Sequence, residues 1–170
     1  MRLEKIPPTV GLNLSKIEKR RAEFTFWDVG GQMVLRKIWD KYFSECNAVI
    51  FMIDGSDANR LQEVKTTLNR LYNHDAPTDL VDLPVLFLLN KKDKQEFVGY
   101  DRIDQELKFN EIYCNGVSEI FELSAKTRDG IETALEWIYE TIPVRREQIT
   151  STPPVTPNES PMAPKEFDDV

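Results

Sequence analysis

Apolar and polar residues alternate along "VGLNLSKI" (10–17), break at "EKR" and resume in "AEFTFW" (22–27). A period of two sends alternate side chains to opposite faces of a strand, so the pair reads as a hairpin. "MVLRKIWDKYF" (33–43) has apolar residues at helical spacing and predicts a helix. "AVIFMI" (48–53) is a continuous apolar run, which predicts a strand buried on both faces, the kind found in parallel sheets. "NRLQEVKTTLNRLYN" (59–73) puts Leu61, Val64, Leu68 and Leu71 on one side of an amphipathic helix. "PVLFLL" (84–89) predicts another strand, followed by a helix near 101–107, a strand "SEIFEL" (118–123) and a helix "GIETALEWIYETI" (130–142). Alternation of buried strands with helices predicts a doubly wound α/β sheet. Ligands of such sheets sit at the carboxyl ends of the strands.

Beyond Pro143 the pattern stops. Residues 144–170 include "STPPVTPNESPMAPKEFDDV" and are rich in Pro, Ser and Thr with an acidic end, so a disordered tail is expected after a single domain at 1–143. The chain has 170 residues, 41% of them hydrophobic, enough for one core. Its net charge of −7 argues against broad nucleic-acid binding, which needs a basic surface. Cys46 and Cys114 form no CxxC pattern, which fits a reducing compartment better than a disulfide or zinc framework. No apolar run approaches the roughly 20 residues of a membrane helix. Met1-Arg2 is not a myristoylation start, so no direct membrane anchor is expected.

Four segments carry candidate chemistry, three of them at predicted strand ends. In "WDVGGQ" (27–32) Asp28 suits a water on Mg²⁺, the Gly31 N–H suits a γ-phosphate, and Gln32 suits an attacking water. In "PPTVGLN" (7–13) Thr9 offers a hydroxyl and a carbonyl to Mg²⁺ and phosphate. "LLNKKD" (88–93) fits N-K-x-D: Asp93 suits the N1–H and exocyclic amine of guanine, a donor pair that adenine lacks, so an adenine ligand would leave the carboxylate unpaired. Asn90 would hold neighbouring loops, and the stem of Lys91 would lie along the ring. "ELSAKT" (122–127) offers the Ala125 N–H to a guanine carbonyl, with Ser124 bracing the loop. Each segment alone also reads as an ordinary turn. Their order in one chain is what makes them specific.

Thr9, Asp28-x-Gly-Gly-Gln, Asn90-Lys-x-Asp and Ser124-Ala-Lys together resemble the Arf family of small GTPases, from about Thr9 to Ile142. The double glycine of "WDVGGQ" is Arf-like, and "PTVGLN" with "WDKYFSEC" (39–46) is most similar to the Arf-related branch. The resemblance implies a P-loop NTPase-like fold, GTP/GDP and Mg²⁺ as ligands, and GTP hydrolysis that switches effector recruitment in Golgi trafficking. It assigns the guanine site to Asn90, Lys91, Asp93, Ser124, Ala125 and Lys126, the metal side to Thr9 and Asp28, the phosphate contacts to Gly31 and Thr9, and water orientation to Gln32. Trp27 and Tyr42 match two members of the family's aromatic effector triad, and Leu12 stands where Arf has phenylalanine. Effectors, an exchange factor and a GTPase-activating protein are the implied partners. A monomer is expected, cytoplasmic and peripheral at Golgi membranes. "NHDAPTDLVDL" (73–83) is a few residues longer than in Arf.

None of the seven glycines begins GxxxxGK[ST], and none precedes a lysine. The resemblance implies a strand, a phosphate loop and a helix before the position of Arg2, so the expected fold lacks its first strand. Without that loop's charge-assisted hydrogen bonds, at roughly 1.5–3 kcal/mol each, nucleotide binding is expected to be weak. The chain then reads as an incomplete sequence of an ordinary GTPase, as a truncated isoform or pseudo-GTPase that acts as an interaction module, or as another α/β domain that only resembles the family.

Overall fold

A computed structural model of the chain describes residues 7–19, 22–72, 78–112 and 116–142. The expected tail at 144–170 and part of the 73–83 segment lie outside the described residues. The hairpin forms as the alternation predicts. Strand β1 (Leu12–Lys19) pairs antiparallel with β2 (Ala22–Val29), with Leu14 opposite Trp27 and Ser15 opposite Phe26. Strands β3 (Val49–Asp54), β4 (Val85–Asn90) and β5 (Ser118–Glu122) form a parallel sheet in that order. The register sets Asp54 beside Asn90, so both close their strands at the carboxyl end.

The buried run of β4 divides by the period of two. Val85, Phe87 and Leu89 face one core cluster, and Leu86 and Leu88 face the other. The first cluster is covered by helices α1 (Leu61–Tyr72), α2 (Thr78–Val81) and α3 (Gly99–Leu107), through Leu61, Leu68, Leu71, Leu80, Ile103 and Leu107. The second is covered by α4 (Ile131–Thr141), through Ala134 and Ile138, together with Phe24 and Phe26 of β2. Fully burying one such aliphatic side chain is worth about 1.5–3 kcal/mol. Val64 is half-buried beside the buried leucines of α1.

Two expectations are corrected. The segment 33–43 is not an α-helix. It folds as 3₁₀ turns at Arg36–Lys41 and Phe43–Glu45. Ile38 N–H donates to Leu35 and Tyr42 N–H to Trp39, both three residues back. That pitch aligns Arg36 and Trp39 on one side, and both side chains reach back to the glycine loop. Nor is β3 buried on both faces: Ile53 is 1% exposed, but Met52 is 54% exposed. Among the described residues β3 is an edge of the three-stranded sheet.

Among the described residues the hairpin is a sheet of its own. Side chains join it to the rest. The Phe24 ring lies 6.2 Å from that of Tyr139, and Lys19 pairs with Glu132 and Glu136 of α4.

Candidate functional site

The sequence-predicted residues come together in two groups. At the end of β2, Thr9 Oγ1 donates to Asp28 Oδ2 at 2.9 Å, and Asn13 Nδ2 donates to the same oxygen at 3.3 Å. Gly30 N–H donates to Gly11 O at 3.0 Å, which lays the Thr9 segment against the glycine loop. The two glycines are there for different reasons. A Cβ on Gly30 would lie 2.6 Å from Thr9 O and 2.5 Å from Leu35 Cδ1, so packing alone requires glycine. A Cβ on Gly31 would meet nothing within 4 Å. Gly31 therefore leaves open backbone beside Thr9 and Asp28, where an anion can approach an N–H. Gln32 is exposed, and its carbonyl accepts from Leu35 and Arg36. The donors here are oxygens, a hydroxyl and a carboxylate, which is the chemistry of a hard cation such as Mg²⁺ that keeps water and phosphate among its ligands.

The second group lies at the ends of β4 and β5. Asn90 Oδ1 accepts from Lys91 N at 2.7 Å and from Ala125 N at 3.0 Å, so it ties "NKKD" to "SAK". A ligand carbonyl at Ala125 would share that N–H with Asn90. Lys91 adopts φ +73°, left-handed backbone that is uncommon outside glycine. Lys92 N–H then bonds Leu123 O, and Asp93 meets Ser124, whose Oγ donates to Asp93 Oδ1 at 2.6 Å. Ser124 is 1% exposed, and its Oγ also accepts Thr127 N–H at 3.1 Å. Lys126 Nζ stands 3.4 Å from Asp93 Oδ2. The Ser124 hydrogen bond, helped by Lys126, holds the Asp93 carboxyl below the ordinary aspartate range. Asp93 is thus an oriented, ionised acceptor at the surface.

Two residues here escaped the sequence reading. Asp54 ends β3 and receives the Lys91 ammonium on Oδ2, and Ser56 N–H and O–H on Oδ1. Burial works to raise its pKa, and the Lys91 and Ser56 hydrogen bonds outweigh that and lower it. The signal was a carboxylate at a strand end before glycine, "MIDG", much as "WDVGG" has Asp28 one residue before the end of β2. Leu14 shares the outer face of the hairpin with Leu12 and Trp27 and is 62% exposed. Trp27 and Tyr42 meet edge to face at 5.4 Å. No hydrogen bond among the described residues joins the Asp28 group to the Asn90 group. Nor do the described residues hold a cluster of three or more His, Cys, Asp or Glu side chains, or a helix long and apolar enough to cross a membrane.

The family model of the ADP-ribosylation factor family matches residues 1–142. The chain belongs to that family. ADP-ribosylation factor-like protein 3 of Saccharomyces cerevisiae is 38% identical over 138 residues, covering 80% of this chain and 68% of the yeast protein. Human ADP-ribosylation factor-related protein 1 is 34% identical over 161 residues, covering 88% of this chain and 77% of the human one. Among solved structures, the Arl6 BBS3 small GTPase of Trypanosoma brucei, with the nucleotide analogue GppNp bound, superposes with a TM-score of 0.73 at 29% identity, covering 81% of this chain and 83% of that one. The fold is the α/β small GTPase fold with a parallel sheet, as the sequence implied. As an Arf-like small GTPase, the chain comes from a family whose members bind GTP or GDP with Mg²⁺ and meet effectors, exchange factors and activating proteins.

Proposed function

We propose that this chain carries the guanine-recognising and switching parts of an Arf-like GTPase acting at Golgi membranes in vesicle and protein transport. The observation that carries this reading is the joined base loop: Asp93, braced by Ser124, beside Asn90, bonded to Ala125. Asp93 accepts the N1–H and exocyclic amine of guanine. Asn90, Ala125 and Lys126 frame the base, and the Lys91 stem lies along it. Thr9 and Asp28 sit on the metal side, where Mg²⁺ when bound neutralises phosphate charge. The Gly31 N–H meets the γ-phosphate, and Gln32 orients the attacking water for hydrolysis. Leu12, Trp27 and Tyr42 face effectors, and the exposed Leu14 extends that apolar face. The trafficking role rests on the sequence resemblance to the Arf-related branch, and ADP-ribosylation factor-related protein 1 is among the relatives.

The test is a ¹H–¹⁵N titration of residues 1–170 with GDP or ADP and Mg²⁺. Ligand is taken to millimolar levels, because a Kd of about 1 mM corresponds to only about −4 kcal/mol. GDP is expected to shift the Asn90, Asp93 and Ala125 amides, and ADP to leave them in place. Equal shifts by both nucleotides, or none by either, would remove the guanine assignment.

A further inference from the structure

We infer that Arg36 is a positioning residue that fixes Gly31, and with it the adjoining Gln32, against the first two turns of α1. The inference deepens the nucleotide reading above and rests on it for its purpose. A Gly-Gly stretch has more backbone freedom than any other pair of residues, and an N–H meant for an anion works only if it is held still. Two side chains remove that freedom by taking the two carbonyls. Trp39 Nε1 donates to Gly30 O at 3.1 Å, and Arg36 Nε donates to Gly31 O at 2.9 Å.

Arg36 is itself anchored from every side. One terminal nitrogen donates to Thr67 Oγ1 at 2.5 Å, and the other donates to Glu63 Oε1. Its guanidinium carbon lies 6.0 Å from the Trp39 ring centre, and Arg70 donates to its carbonyl at 3.3 Å. The side chain is only 13% exposed, and Glu63 is braced in turn by Arg60. Thr67 Oγ1 spends its own proton on Glu63 O, so it is free to accept from Arg36. The chain of contacts runs from the body of α1 through a planar fork to the carbonyl of Gly31, where an added Cβ would meet nothing within 4 Å. Lysine has the charge but not the three directed donors that this geometry uses.

The experiment uses residues 1–170 with Arg36→Lys, with Glu63→Gln as a milder second variant, and with Arg102→Gln as a control at an exposed ion pair on α3. The first measurement is the amide order parameter without ligand. Gly31 is expected to move from the rigid range near about 0.85 to below about 0.6 in Arg36→Lys, while Asn90 and Asp93 stay rigid. Glu63→Gln should give a smaller fall, and the control none. The second measurement compares guanosine with GTP·Mg²⁺. Arg36→Lys should keep the guanosine shifts at Asn90 and Asp93 and lose the GTP-specific shift at Gly31. A Gly31 as rigid in Arg36→Lys as in wild type, or an unchanged GTP response there, would overturn the inference. Wild type that answers neither ligand would sink the nucleotide reading instead, and the order parameter still decides whether Arg36 holds Gly31.

Discussion

At the scale of single residues, the base loop stakes its selectivity on the donor and acceptor pattern of Asp93. Asp93→Asn puts a donor where guanine also has a donor and xanthine has a carbonyl. Competition of GTP and XTP against a fluorescent nucleotide should move toward XTP by about tenfold or more per reversed hydrogen bond. An unchanged ranking would leave the loop a mere turn. Ser124→Ala tests the support beneath it. The Ser124 donor lowers the Asp93 pKa, so the carboxylate and any stability it lends are present above the unfolded aspartate pKa and lost as pH falls through the lower folded value. Removing that donor should move the acid limb of guanine binding to higher pH. The glycines make a contrasting pair. Gly30→Ala meets Thr9 O and should cost about 1–3 kcal/mol in chemical unfolding, whereas Gly31→Ala should leave stability nearly unchanged and weaken only the response to γ-phosphate. Asp28, Asn90, Asp93 and Ser124 were legible because each motif fixes residue types at short spacing. Arg36 was not, because its partners Gly31, Glu63 and Thr67 are brought together only by folding.

At the scale of elements, strong periodicity was read correctly and weak periodicity was not. The stripe of α1 comes from one face against one core, and the period of two along β1 from its pairing with β2, whose Phe24 and Phe26 face the second cluster, so both patterns are written in the sequence. Residues 33–43 misled because apolar spacing of three to four fits an α-helix and a 3₁₀ turn alike. The 3₁₀ form goes with the reach of Arg36 and Trp39 back to the glycine carbonyls, five and nine residues earlier, contacts that apolar spacing does not encode. β3 misled because an apolar run does not say which strands will flank it. The hairpin raises a prediction of its own. Phe24 and Phe26, half-buried, carry much of its attachment to the second core cluster. Phe24→Ala should cost about 2 kcal/mol, below the roughly 3–5 kcal/mol of a fully buried ring. Hydrogen exchange should then quicken across β1 and β2 while β4 stays protected. A uniform change over both sheets would mean that the hairpin is not an independent opening unit.

At the scale of the whole molecule, charge pairs set the pH range of stability. Asp54, Glu63 and Asp93 all titrate below their ordinary values. Burial opposes the shift at Asp54 and is overcome by Lys91 and Ser56, Arg60 leads the shift at Glu63, and Ser124 leads it at Asp93. Their contribution is complete at neutral pH and is lost as pH falls through the lowered folded values. Lys19 runs the other way: its hydrogen bond to Glu132 raises its pKa, so its contribution is complete below 10.5 and is lost as pH rises through the higher folded value. Lys108 shifts the same way through Glu111, so urea midpoints should be flat across neutral pH and fall toward both extremes, and Lys19→Met should make only the alkaline limb shallower. The net charge of −7 was visible in the sequence, but the pairings that set these limbs were not.

The exposed edge at Met52 brings oxidation chemistry to the base loop. Met52 is open to solvent, and its thioether sulfur accepts the Asn90 side-chain amide at 3.4 Å. A thioether is a weak acceptor, whereas the sulfoxide formed when a peroxide transfers its oxygen is polar and accepts far more strongly. Mild peroxide should thus draw the Asn90 amide toward the sulfoxide and weaken guanosine binding, a methionine sulfoxide reductase should restore it, and Met52→Leu should be indifferent to both treatments.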